Sequence, residues 1–392
     1  MQQIPPPPHR EHYFWIDALR GAAAVIVLIS HVSIFGLYGY EHVLAKWPPT
    51  RLLWAGHQAV ILFFVISGFA LYLLFEQMEA ASVRWTKFIQ VRFLRLYPPY
   101  LASLLLALLV LNAPALSGVS APPNAPVIAN GQLTWGTLIG HVLMIGTFDV
   151  EAINPPIWTL VYEARLSLLF PLIYLAVARG GARTLAVIGA VWIVDICHSA
   201  AVDLHYLQEG LVPYTVLRTV NLAGTFVAGA LVAKYRIDIS GWFSRQRPRA
   251  VFALLFPSIL VFMHSYGYSW TEWSIESVRH IAEGFTVLAS AFFVALAIST
   301  PPPVRRDVIG FLGTISYSLY LVHQVAIMGV ILLFYGKLPA PAMWLISITA
   351  SIGLAWLFYL VVERPSKAAS RTVRANAMQA SGGTGGLAKP GK

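Results

Sequence analysis

The sequence predicts an all-α, polytopic membrane bundle of about ten transmembrane helices, with one further short helix near 135–148 that does not cross. Three observations carry this. Hydrophobic residues make up 57% of the 392 and charged residues only 11%, under half the roughly 25% of a soluble domain. Apolar runs close to the ~20 residues that cross a bilayer recur along the chain, bounded by Pro, Gly or charge. Lys and Arg gather in alternate connections between these runs, as in loops retained on the cytoplasmic side.

Taken in order, spans are expected at 14–38, 53–75, 97–113, 157–178, 184–201, 214–233, 250–267, 279–299, 308–334 and 342–362. The first is read as a retained helix and not a signal peptide, because Asp17 and Arg20 interrupt it and no small-residue cleavage pattern follows. Segment 135–148 is too short to cross. Counting it as a span would put the basic cluster Lys234, Arg236, Arg245, Arg247 and Arg249 outside. Leaving it out keeps that cluster inside with Arg84, Lys87, Arg92, Arg95, Arg179, Arg183, Arg305, Arg306 and the basic tail. Only Lys46, Arg51, Arg218, Arg279 and Lys337 then lie outside. Ten spans with both termini cytoplasmic follow. The domains are a Pro-rich N-terminus at 1–13, a membrane domain at 14–367, and an Ala-, Gly- and Ser-rich basic tail at 368–392, expected to be disordered. The outer loops 117–132, 203–210 and 266–273 are either walls of a vestibule or plain connectors.

Composition removes several functions. The net charge of +10 sits in short loops between spans, so it reports topology and implies no nucleic-acid partner. The single Cys197 excludes an internal disulfide and a thiolate zinc cluster. HExxH, Walker and GxSxG patterns are absent, which argues against metalloenzyme, ATPase and hydrolase classes and for no metal.

The chemistry is sought among ionisable residues inside spans, where charge is costly and usually functional. In IDALRGAAAVIVLISH (16–31), Arg20 and His31 are eleven residues apart, about three helical turns plus 20°. They share one face, about 16 Å apart along the axis. A guanidinium and an imidazole at opposite ends of an apolar stripe suit a long, thin substrate with an anionic head and a reactive tip. Taken alone, His31 reads more simply as a buried histidine donating to a carbonyl, and its alignment with Arg20 is what weighs against that. Asp17, one turn before Arg20, is expected to fix it by an ion pair. Glu163 lies near the predicted depth of His31, where it would either hold the imidazole or bridge to Arg165 or Arg218. Arg92 and Arg95 are neighbours on one face, forming either a phosphate clamp or a headgroup contact. His323 also falls in the outer half, as either a second polar wall of the site or a buried structural histidine; with Tyr320 and Trp158 it is assigned to the substrate. His57, His141, His264 and His280 are read as structural.

These residues stand in motifs: DALRG with His31 following, FFVISGF at 63–69, RFLR at 92–95, WTLVYEARLSLLFP at 158–171, SYSLYLVH at 316–323 and VVERPSK at 361–367. In that order, over 14–367, the chain resembles the acyltransferase-3 family, integral-membrane O-acyltransferases of bacterial polysaccharides, lipopolysaccharide, Nod factors and some antibiotics. The resemblance implies a bacterial inner-membrane enzyme that takes an acyl group, most often acetyl, from acyl-CoA to a hydroxyl of an extracytoplasmic saccharide or glycolipid. It makes His31 the catalytic histidine, places Glu163 in the site, and gives Arg20, Arg92 and Arg95 to the donor. Three positions depart from the family pattern: Val322 replaces a tryptophan, Ala164 a second glutamate, and Ser167 a tyrosine. No esterase-like domain is expected after the membrane part. Direct transfer and an acyl-histidine intermediate both remain open. A proton-coupled transporter using His31, Glu163 and His323, without covalent chemistry, is the rival from another class. No internal repeat supports it, and a lipid-binding scaffold is the third reading.

Overall fold

A computed structural model of the chain describes residues 13–36, 48–81, 83–117, 134–144, 153–203, 214–264, 276–303 and 307–382. All regular structure in these residues is helical. The first half holds α1 (Phe14–Gly36), α2 (Gly56–Ala80), α3 (Trp85–Ser117), the short α4 (Trp135–Leu143), α5 (Trp158–Gly180), α6 (Ala182–Asp203) and α7 (Tyr214–Lys234). The second half holds α8 (Arg236–Phe243), α9 (Pro248–His264), α10 (Glu276–Ser299), α11 (Asp307–Phe334), α12 (Ala340–Phe358) and α13 (Arg364–Gly382). A π-turn, Tyr359–Glu363, joins the last two.

Within the described residues each predicted span falls on one of these helices, the last continuing into the π-turn. Seven described helices are long and apolar enough to cross a membrane, or eight if the bent pair α8–α9, turned by 118°, counts as one. Outward faces carry large apolar side chains such as Leu109, Leu172, Val194, Phe252, Leu288 and Leu345. Such a girdle suits hydrocarbon, because the backbone groups behind it are satisfied inside each helix. The protein is therefore a multi-pass, all-α membrane bundle. Helix α4 has only 9 residues, about 14 Å at 1.5 Å per residue, which is too short to cross. Thr134 caps its start by accepting from the Thr137 amide at 3.1 Å. Met144 ends it in the left-handed region, with φ 55°.

Small residues set the closest helix crossings, as expected where apolar faces gain little by leaving lipid. A Cβ on Gly68 of α2 would lie 2.1 Å from the Phe226 carbonyl oxygen of α7. One on Gly229 would lie 1.9 Å from the Val65 carbonyl oxygen. Gly21 of α1 and Gly313 of α11 meet in the same way. These contacts yield two apolar cores. One gathers α2 with α5, α7 and α10; the other gathers α11 with α3, α5 and α12; α1 contributes to both.

One predicted boundary is overturned. From residue 368 the sequence suggested a disordered tail, yet α13 runs to Gly382. Ala is the strongest helix former in that segment, and the helix has a place to dock. Ser366 and Ser370 donate to the Leu94 and Val91 carbonyls of α3, the second at 2.7 Å. The three outer loops singled out in the sequence, and His264's neighbours from 265 onward, lie wholly or mostly outside the described residues, as do 383–392.

Candidate functional site

Between the two cores, at the end of the bundle where α13 docks, lies a cavity of about 330 Å³. Its apolar wall is α2, with Val60, Phe63, Phe64 and Leu71 among its residues. Its polar wall is cationic: Arg20 from α1, Arg92 and Arg95 from α3, and Lys367, Arg371 and Arg374 from α13. The only carboxylate among the lining residues is Glu163 of α5. Arg20, Arg92 and Arg95 are close enough to repel one another. Neither Arg20 nor Arg95 forms a hydrogen bond or ion pair with a described residue. Three guanidinium groups share this wall with one lining carboxylate, and Arg95 meets the buried Glu363 only at a distance, so the wall suits an anion.

Arg92 is the guanidinium held in place. Its Nη2 lies 3.0 Å from Glu163 Oε1, and it also donates to Ser167 Oγ at 3.3 Å. Ser67 of α2 donates to the same carboxylate oxygen at 3.3 Å. The sequence expected Glu163 beside His31, or bridged to Arg165 or Arg218; the structure corrects both. Glu163 makes no hydrogen bond to His31, and its carboxylate is committed to Arg92 and Ser67. Arg165 instead stands over the Tyr162 ring at 5.4 Å. Arg218 pairs with Glu283 through two bonds of 2.8 and 2.9 Å. The expected Asp17–Arg20 ion pair is also absent. Asp17 sits in the α1–α11 crossing, where a Cβ on Gly313 would come within 3.0 Å of its own Cβ, and Arg20 turns toward the cavity.

A second carboxylate, which the sequence reading did not single out, anchors α13. Glu363 is fully buried. It accepts from the Ser318 amide at 3.1 Å and the Ser318 hydroxyl at 2.5 Å, and pairs with Lys367 at 2.5 Å. The π-turn puts this carboxylate at the end of α12, and the i,i+4 spacing brings Lys367 over it. The VVERPSK motif carried that signal. Lys367, Arg371 and Arg374 also stand at helical spacing, which places them on one face.

At the other end of the cavity stands Tyr320 of α11. Its hydroxyl donates to the Pro156 carbonyl at 2.6 Å and accepts from Thr159 at 2.7 Å. Behind Tyr320 lie two imidazoles. The His323 ring is 6.0 Å from Tyr320 and 5.0 Å from the His31 ring, the latter edge to face. Neither histidine lines the cavity itself; they are one aromatic layer beyond it. Each turns Nδ1 to a carbonyl in its own helix, His31 to Val27 and His323 to Leu319, both at 2.9 Å. A carbonyl only accepts, so each Nδ1 carries the proton and each Nε2 is the basic nitrogen. His323 Nε2 is buried with no hydrogen-bond partner among the described residues, an arrangement that makes it an acceptor for whatever enters between the rings. Arg20 and His31 do lie on one continuous helix at the predicted spacing.

Trp158 does not line this cavity. It lies under Arg218, 5.8 Å from its ring centroid, next to a chain in which Glu283 also binds His57 at 2.7 Å. Among the described residues, no three His, Cys, Asp or Glu side chains are grouped to hold a metal ion.

The sequence profile of the acyltransferase domain family matches residues 13–360, which include both histidines, Glu163 and the three deeper arginines. The chain belongs to the acyltransferase-3 family. It is similar to acyltransferase MdmB of Streptomyces mycarofaciens, with 26% identity over 175 residues, 43% of this chain and 41% of that protein. It is also similar to protein 2 in the picA locus of Rhizobium radiobacter, with 26% identity over 191 residues, 47% of this chain and 87% of that protein. The match thus spans about two fifths of the first relative's length. No solved structure matches the chain. For an acyltransferase-3 member, a cation-lined cavity leading toward paired imidazoles is a coherent site, and α13 lies beyond the residues the family profile covers.

Proposed function

We propose that this membrane acyltransferase takes an acyl group, most simply acetyl, from cytoplasmic acyl-CoA and places it on a hydroxyl of an extracytoplasmic saccharide or glycolipid. The enzyme would sit in a bacterial inner membrane with both termini cytoplasmic. The observation that supports this most is the polarity of the site. Three guanidinium groups with one carboxylate, Glu163, line one end of the cavity, apolar side chains line its length, and two basic imidazole nitrogens stand beyond its far end.

In this reading Arg20, Arg92 and Arg95 bind the phosphates of the donor, with Arg92 oriented by Glu163 and Ser167. The pantetheine arm lies along α2, where a thin apolar wall suits it. Its thioester reaches the histidines once the Tyr320 ring turns aside. His31 Nε2 removes the proton of the acceptor hydroxyl as that oxygen attacks the thioester carbonyl. The C–S bond breaks, the coenzyme leaves as thiolate and takes the proton back from the imidazolium, and an ester and free thiol result. His323 Nε2 accepts a hydrogen bond from a neighbouring hydroxyl of the acceptor and so orients it. Glu163, held at the cation wall, positions the donor through Arg92 and does not support the imidazolium.

The test is mass spectrometry of cell-envelope glycans from cells with and without the protein, with purified protein and labelled acetyl-CoA in parallel. The expected result is an ester present only with the protein and label released from the donor in vitro. Unaltered glycans together with an untouched donor would favour the transporter or scaffold reading.

A further inference from the structure

The outer lip of the cavity carries cations that the deeper arginines do not account for. Ser366 and Ser370 dock α13 onto α3 at Leu94 and then Val91, so the two helices run antiparallel. Each turn along α13 from Lys367 therefore leads away from the Arg92–Arg95 pair. Lys367 stands beside that pair, held by Glu363. Arg371 and Arg374 follow one and two turns further out, where Arg374 donates to Gln77 at the end of α2. All three line the same cavity as the inner arginines, not the lipid side of the bundle. Lys367 and Arg374 are about 10 Å apart along the helix, too far for one phosphate to engage both the inner arginines and the lip. Arg371 forms no hydrogen bond or ion pair with a described residue.

We propose that Arg371 and Arg374 form a second phosphate subsite that takes the 3′-phosphate monoester at the nucleotide end of the donor, while Arg20, Arg92 and Arg95, with Lys367 beside them, take the pyrophosphate. This rests on the acyl-CoA reading above. The order of groups in the coenzyme runs thioester, pantetheine, pyrophosphate, ribose 3′-phosphate, and the order of features in the cavity runs imidazoles, apolar wall, inner arginines, outer cations. A lipid headgroup offers the same phosphate chemistry, and the experiment separates the two.

The probes are coenzyme A and 3′-dephospho-coenzyme A, whose equilibrium binding is measured on the full chain in neutral detergent and in nanodiscs containing phosphatidylglycerol. The variant is Arg371→Gln with Arg374→Gln. Lys367 is left in place because its loss would strand the buried Glu363 carboxylate. One charge-assisted contact amounts to about tenfold in affinity. The wild type should bind coenzyme A about tenfold more tightly than the dephospho form, and the variant should bind the two within about twofold. A variant that keeps the tenfold preference overturns the subsite, as does a wild type that binds both probes alike in detergent. A preference seen in detergent but abolished by phosphatidylglycerol assigns the lip to lipid and overturns the donor assignment. A wild type that binds neither probe shows instead that the acyl-CoA reading has failed.

Discussion

Replacing His31 by Ala is expected to lower acyl transfer by about a thousandfold, within the 10²–10⁴ range of general-base loss, while donor binding changes by less than about twofold. The expectation follows from where the two tasks lie. Nε2 of His31 is the basic nitrogen because Nδ1 donates to the Val27 carbonyl, and the ring stands beyond Tyr320, remote from the guanidinium wall. The side chain's bond to the Val27 carbonyl contributes about 1 kcal/mol, and a far-UV spectrum like that of the wild type would show that the variant folds. Transfer at the wild-type rate would remove His31 from the chemistry, and a large loss of donor binding would make it a binding residue.

The second large effect is at the cation wall. Arg92→Ala combined with Arg95→Ala should raise the donor KM about a hundredfold, two charge-assisted contacts at roughly tenfold each, with a smaller change in kcat at saturating donor. Arg92 also neutralises Glu163, so part of the loss in the double variant reflects a stranded carboxylate. Arg95→Ala alone avoids this, because Arg95 has no ion-pair partner among the described residues; it should still give about tenfold. Donor dependence unaltered in both variants would leave these arginines to lipid headgroups.

The reach of the sequence can be judged residue by residue. Length and hydropathy placed the helices, because a bilayer demands long apolar runs. The Arg20–His31 spacing placed both on one face of α1, and the RFLR spacing put Arg92 and Arg95 together. For Glu163, counting residues along a helix gives depth but not which neighbour stands opposite. Its partner depends on how α3 and α5 cross, and Arg92 reaches it from α3. Asp17 failed for a related reason: one-turn spacing permits an ion pair, but the tight Gly21–Gly313 crossing fixes where its side chain lies. Composition alone suggests a disordered tail, whereas the 367, 371, 374 spacing marks one helical face. Tyr320 lines the cavity, as the layer between it and the imidazoles.

The most direct measurement is a structure of the protein with a stable thioether analogue of acetyl-CoA bound. The expected density places the pyrophosphate against Arg20, Arg92 and Arg95, the pantetheine arm along α2, Tyr320 displaced, and the sulfur within about 4 Å of His31 Nε2, near hydrogen-bond reach of the reacting hydroxyl. Phosphates bound away from those arginines, or a sulfur that stays on the cation side of an unmoved Tyr320, would contradict a donor lying lengthwise between guanidinium and imidazole.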